Sequence, residues 1–434
     1  MIAQLAEAVI TPQAAEFLLR ASLLKQGNTI LAWMFQQAAD RIDAQYQPQP
    51  GEQRKGRVKL QAQSVFGAWE LRRDYYYHEG KQQGHYPADA ALGLEEGYTA
   101  ALARLICLEG ADEASYQKAE HHLSETGGIP VCARQIQRVV NRVGQAAQQW
   151  QQREYRPEQT QACAAPLLYV SADGTGVPMR AEEVRGRQGR QPDGSARTRQ
   201  AYLGCVFTQH RVDDQGHPVR DWESTTYVSS LEAIDHFGPL LRQEALRRGM
   251  GQVAQTVLLI DGAEGLEKMG RSNFKDALQI VDFYHALEHG ALVLEALLGS
   301  KAHPTFKTRH RQWAKRLLRN GVKNLIAGVR KECAGQACAA AVEKQLSYFV
   351  HNVERMQYGQ FRRQGYFIGS GVIEAGCKTV IGARCKQSGM FWGQRGAENI
   401  LAFRCIHASR RQNDFWKHRL NQLASRNDTL PLAA

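Results

Sequence analysis

Two short apolar runs, each stopped by an Asp-Gly pair, constrain this chain more than any other feature. Leu167–Ala172 runs into Asp173-Gly174, and Thr256–Ile260 runs into Asp261-Gly262. Short apolar runs bounded by turn residues read as buried strands. In open α/β sheets, ligands gather at the carboxyl ends of the strands. Two aspartates delivered to one sheet edge would make an acidic site. Either one alone also fits an ordinary Asp-Gly turn.

The flanking pattern extends this reading. Ala201–Val212 and Trp222–Ser230 read as strands joined by the turn Asp213-Asp214-Gln215-Gly216, and Leu231–Arg248 as an amphipathic helix. Leu278–Val281 is a further strand that runs into a helix from Phe283, and a polar Arg/Gly-rich loop fills 180–199. Three strands, helix, strand, helix-like segment, strand, helix is the order of a ribonuclease-H-like domain, a mixed sheet with helices on its faces. The expected fold is α/β: an RNase-H-like core with a helical insertion and an N-terminal helical, helix-turn-helix region.

A chain of 434 residues exceeds one ordinary core. Residues 1–46 read as helical, with Phe17, Leu18, Leu23, Leu24, Ile30, Leu31 and Phe35 as apolar positions. Gln47–Gly56 reads as a linker, and Val58–Tyr77, with Gly67 in the middle, as two paired strands. Ala114–Thr126, Gly127-Gly128-Ile129-Pro130 and Cys132–Val143 make a helix-turn-helix candidate or a plain helical hairpin. In it Ile136, Val139, Val140 and Val143 would face the core, and Gln135, Gln137, Arg138 and Arg142 would face outward toward DNA. Gln145–Gln159 reads as a second linker. The expected divisions are 1–56, a helical segment and linker; 57–160, the hairpin and DNA-binding region; 161–299, the first part of the core; 300–365, a basic helical insertion; and 366–434, core completion.

The charge is uneven. From Lys301 onward, 24 Lys+Arg stand against 7 Asp+Glu, while the whole chain carries +12. A basic final third on a near-neutral body suggests a polyanion partner, or simply a solvated basic surface. Arg309, Arg311 and Lys315, with Arg316 and Arg319, head that region. The nine cysteines form no C-x-x-C pair, which points to a reducing cytoplasm. No signal peptide and no membrane span are expected.

Phosphodiester cleavage needs an activated water and a stabilised leaving oxyanion, and two divalent cations supply both. Such cations need hard oxygen ligands. Glu374 lies in Gly369-Ser370-Gly371-Val372-Ile373-Glu374. Ser370 would cap a helix there and place Glu374 in its first turn, where a glutamate also serves as a plain dipole complement.

Together these segments resemble the Kra-type bacterial insertion-sequence transposases, which are similar to the wider Mutator-like group of DDE transposases. The resemblance runs from roughly 57 to 420. It is carried by Tyr169–Pro178, Leu203–Gln209, Ile260–Gly265, Ile280–His289 and, most specifically, Gly369–Glu374 continuing to Arg384-Cys385-Lys386-Gln387-Ser388-Gly389-Met390-Phe391-Trp392. It implies Asp173, Asp261 and Glu374 as a triad holding Mg²⁺, with Mn²⁺ substituting, and His285 of Asp282-Phe283-Tyr284-His285 as an accessory residue. It implies double-stranded DNA as partner, both transposon ends and target, a homo-oligomer on DNA, and a cytoplasmic, nucleoid-associated protein. Arg384 and Lys386 would hold phosphates, and Phe391 and Trp392 would stack on a distorted base or sit in the core. Relatives often carry a cysteine pair after the N-terminal hairpin; Tyr76–Lys81 has none.

Two other readings compete. His285-Ala286-Leu287-Glu288-His289 is also H-x-x-E-H, an inverted zinc-peptidase motif. A catalytically inactive, transposase-derived DNA-binding protein would share the basic regions.

Overall fold

The computed structural model describes residues 11–184 and 198–425. Most of the loop expected at 180–199, and the start of the expected N-terminal helix, lie outside the described residues. The chain divides into two compact units, Met1–Ala146 with Arg411–Ala434, and Ala147–Arg410.

The first unit opens with α1 (Pro12–Gln45), whose N-cap Thr11 accepts from Ala14 N–H at 3.3 Å. It lies on a hairpin of β1 (Glu52–Ser64) and β2 (Gly67–His78), with β3 (Gln83–His85) beyond. Phe35 stacks on Trp69 with centroids 5.5 Å apart, above a small core that includes Ala39, Ala62 and Leu71. The expected linker Gln47–Gly56 is therefore strand from Glu52 onward. Its charges hid it, because it is held by partners instead of by apolar alternation: Arg54 bonds Asp74 at 2.6 Å.

Next come α2 (Ala100–Asp112), α3 (Tyr116–His122), a turn in which Gly128 takes φ +66°, and α4 (Ala133–Gln152). Ile136, Val139, Val140 and Val143 are all buried, as their spacing indicates. The second expected linker is half helix, because α4 continues to Gln152. There Gln148 donates to Asn399 at 3.1 Å and Gln151 to the Ala402 carbonyl at 3.4 Å.

The second unit is mixed α/β. Its strands are β4 (Leu167–Pro178), β5 (Thr198–Val212), β6 (Pro218–Arg220), β7 (Thr226–Ser230), β8 (Gln255–Ile260) and β9 (Leu278–Val281). The sheet order is β6-β5-β4-β8-β9, with β7 also on β5. β4 pairs antiparallel with β5 and parallel with β8, and β8 pairs parallel with β9. Helices α5 (Ile234–Arg247) and α6 (Glu264–Asn273) cover one face. Phe237, Leu241, Leu266 and Met269 meet Leu168, Val170, Ala172, Leu258 and Ile260 there.

After α7 (Phe283–Leu298) comes the basic segment, folded as α8 (Phe306–Leu317), α9 (Val322–Cys333) and α10 (Ala339–Asn352). Trp313, Leu317, Leu325 and Val329 are buried among them, matching their apolar spacing. The chain returns through α11 (Gly371–Gly376) and α12 (Gln394–Ala408). The last described helix, α13 (Gln412–Ser425), belongs to the first unit, whereas 366–434 was expected to complete the core. Arg419 explains this: its buried guanidinium grips Glu95 at 2.6 Å. Among the described residues, no helix is long and apolar enough to cross a membrane.

Tyr169 ties the returning segment to the sheet. Fully buried and stacked on Phe207, it donates to Gln209 at 2.7 Å and accepts from Phe367 N–H at 3.2 Å. Tyr169→Phe should cost about 1–3 kcal/mol, because a part-buried N–H and a buried amide each lose a partner. Calorimetry of the full chain should show a lowered transition, and an unchanged one would mean that this tie contributes nothing.

Candidate functional site

The parallel registers bring three carboxylates level. Ala172 lies beside Ile260, and Ile260 beside Val281. The next residues along the three strands are Asp173, Asp261 and Asp282. Side chains alternate along a strand. Ala172 and Ile260 face α5 and α6, so Asp173 and Asp261 turn to the opposite face. Asp173 does not end its strand as expected. β4 continues to Pro178 on the antiparallel ladder with β5, and only its parallel pairing stops at Ala172.

Glu374 arrives on α11, which packs on β4 and β5. Gly376 permits that approach: a Cβ there would sit 2.7 Å from the Tyr227 ring and 3.1 Å from Leu203, the antiparallel partner of Asp173. Ligand atoms of Glu374, Asp282 and His285 all lie within 4.8 Å of one another. Ser370 stands at the N-cap position but makes no side-chain cap bond. Its hydroxyl donates to Glu374 Oε1 at 3.0 Å, and its N–H donates to Asp282 Oδ2.

Asp282 is the residue at this site to which sequence reasoning gave no role. It is fully buried, caps α7 by accepting His285 N–H at 2.7 Å, and anchors Ser370. Beside it, Phe283 N–H donates to the Ile368 carbonyl at 2.8 Å. One carboxylate thus couples the end of β9, the start of α7 and the segment that carries Glu374. Burial alone would push this carboxyl up; the hydrogen bonds from His285 and Ser370 outweigh it and hold the group below the usual carboxylate range. The signal was present in the sequence, since Leu278–Val281 is a third short strand that ends in Asp.

The charges are strongly coupled. Burial pushes the Asp261 carboxyl above its ordinary range; the N–H of Ala263 and the charge of His285 pull it down, while Asp173 and Asp282 push it up further. His285, with Nδ1 3.4 Å from Asp282 Oδ1, is raised to about 9, first by its hydrogen bond to Asp282. His289 goes the other way, lowered by burial and by the nearby His285. Its ring stacks on Tyr348 at 3.6 Å, and the Tyr348 hydroxyl donates to the Asp261 carbonyl at 2.7 Å. Among the described residues, two clusters could hold a metal ion, this one and Glu109–Glu113–His122; of the expected triad only Glu374 belongs to either, and of the H-x-x-E-H segment only His285.

The residues expected to contact DNA divide. Arg138, Arg311, Lys315, Arg316 and Arg319 are exposed. Gln135 accepts from Cys132 N–H at 3.0 Å, Arg142 pairs with Glu96 at 2.6 Å, and Arg309 pairs with Glu332. Exposed Lys386 bonds Thr175, two residues beyond Asp173 on β4. Arg384 departs from the expectation, and Trp392 takes the core alternative. Arg384 is 1% exposed with its guanidinium 5.0 Å from the Trp392 ring, and Trp392 donates from Nε1 to the Cys385 carbonyl at 3.2 Å. They are core partners, and Phe391, half exposed, is the aromatic at the surface.

In metal-free protein the His285 imidazole should titrate near 9, and in Asp282→Asn it should fall toward the ordinary 6.5. Because the folded value is raised, the pair's stabilisation is complete below about pH 6.5 and is lost as pH rises through about 9. Imidazole NMR of wild type and variant reads both values; equal titration in the two would remove Asp282 as the cause.

A family model described as Uncharacterised protein family (UPF0236) matches residues 18–192, which reach from α1 past Asp173. No curated protein matches. Among solved structures, the chain is similar to one described as the Drosophila P element transposase strand transfer complex, at 10% identity and a TM-score of 0.25, over 75% of this chain and 80% of that one.

Proposed function

We propose that the protein is a DDE-type transposase of the Kra type, cleaving DNA at the ends of its element and joining them to target DNA. The observation that carries this reading is the placement of Asp173, Asp261 and Asp282 one step beyond the paired positions of three neighbouring strands, with Glu374 beside Asp282 and His285. The strand order β7-β5-β4-β8-β9, antiparallel then parallel, supports an RNase-H-like core, and the basic helices between β9 and α11 support a helical insertion.

The donor set suits a hard divalent cation. It is rich in carboxylates, and Asp261 carries repulsion from two neighbouring aspartates that a cation would relieve. Asp173, Asp261 and Glu374 would hold Mg²⁺ or Mn²⁺, with Asp282 and His285 adjoining. Bound there, the metal supplies an acidified water and charge neutralisation at a phosphoryl group. The chain's own groups do the rest. Ser370 orients Glu374 by its hydrogen bond, the cationic His285 offers a proton to a phosphate oxygen, and Lys386 presents an ammonium beside Thr175. Arg138 and the exposed cations of α8 bind the duplex backbone. Pairing two DNA ends calls for a homo-oligomer, and the protein would work in the cytoplasm on the nucleoid.

Asp173→Asn, Asp261→Asn and Glu374→Gln should each abolish cleavage of a duplex carrying the element's own end while leaving its binding nearly intact. Cleavage at near wild-type rate by any of them removes that residue from the triad.

Replacing Arg311, Lys315, Arg316 and Arg319 with Ala should weaken binding to all duplexes about equally. For each phosphate left without its cation, the log–log salt dependence should flatten by roughly 0.9 in slope. Binding titrations at several salt concentrations test this; a weakening confined to one sequence would mean that these residues read bases.

A further inference from the structure

Helix α1 presents a second functional surface, one that the carboxylate site does not use. One side is fastened to the hairpin: Asn28 donates to the Ala68 carbonyl at 2.8 Å, Gln36 bonds Arg72 N–H at 2.9 Å, and Phe35 stacks on Trp69. The other side carries Leu19, Leu23, Gln26, Ile30 and Trp33, whose 4-3-4-3 spacing is that of a coiled-coil seam. The four apolar members are 52%, 58%, 60% and 65% exposed in that order, and Phe17 and Met34 beside them are 60% and 56% exposed. A helix fastened on one side and apolar on the other is a preformed docking ridge.

We propose that this ridge is a homodimer interface whose occupant is the same ridge of a second copy. Its apolar area is on the order of 700 Å², above the roughly 300–600 Å² of the largest patch on a typical monomer. It approaches the ~800 Å² per partner of a standard stable interface. The seam carries no charge, so it does not suit a nucleic acid or a charged peptide. Of the segments outside the described residues, 185–197 contains no large apolar side chain and 426–434 two leucines; 1–10, with Ile2, Leu5, Val9 and Ile10, is the competing occupant to which a monomeric wild type would point. A copy of the seam matches it in length and spacing, and Gln26 lies mid-seam, where a buried polar residue sets register and oligomer state at some cost in affinity.

The inference stands on α1 alone, so the test uses the full chain without DNA or metal. Sedimentation velocity from about 0.5 to 50 μM should show a wild-type dimer. Combined Leu23→Glu, Ile30→Glu and Trp33→Glu should be monomeric throughout, with circular dichroism unchanged because these side chains are exposed in the single chain, and with a thermal transition that no longer rises with protein concentration. Gln26→Leu should tighten the dimer by about tenfold, a gain that only a buried seam position provides. A monomeric wild type, a dimer that survives the triple substitution, or a full wild-type chain that binds phosphatidylcholine vesicles as a monomer would each overturn the proposal.

Discussion

Everything at the candidate site depends on the parallel register that sets Ala172 beside Ile260 and Ile260 beside Val281. Neighbouring strands lie about 4.8 Å apart. Three aspartates one step beyond that register therefore sit on neighbouring strands, and Asp261 feels the charge of both Asp173 and Asp282. A fold does not gather such groups for stability. A one-residue slip of β8 would turn Asp261 to the face covered by α5 and α6. The apolar set Val170, Ala172, Leu258 and Ile260 makes that slip prohibitive by filling that face. The core thus enforces the placement of the charges.

The three aspartates share the burden unequally. Asp282 is satisfied by His285 and Ser370 and is held as a firm anion. Asp261 has one backbone donor and two like-charged neighbours, and its carboxyl is pushed up. The first behaves as a structural fastener that sets Glu374 against the strand ends. The second is left in need of positive charge.

Much of this was legible in the sequence, for identifiable reasons. Apolar runs stopped by Asp located β4 and β8, the Gly127-Gly128 turn located the helical hairpin, and apolar spacing located Trp313, Leu317, Leu325 and Val329 in the insertion. The misses share a cause: polar residues whose partners lie far along the chain. Glu52–Gly56 looked like a linker because it is held by β2, and Gln148 and Gln151 looked like one because Asn399 and Ala402 receive them. Arg384 looked like a phosphate ligand because a buried guanidinium over Trp392 has no local signature. Asp282 stood out only as part of a motif, although it follows its strand as Asp261 follows β8.

The central claim is that Asp173, Asp261 and Glu374 together hold a divalent cation. Anomalous difference density from a crystal of the full chain soaked in Mn²⁺ tests it most directly. The account expects a peak bonded to carboxylate oxygens of Asp173, Asp261 and Glu374, displaced by excess Mg²⁺ and absent in Asp261→Asn. No peak there, or a single peak at Glu109–Glu113–His122 instead, would contradict it.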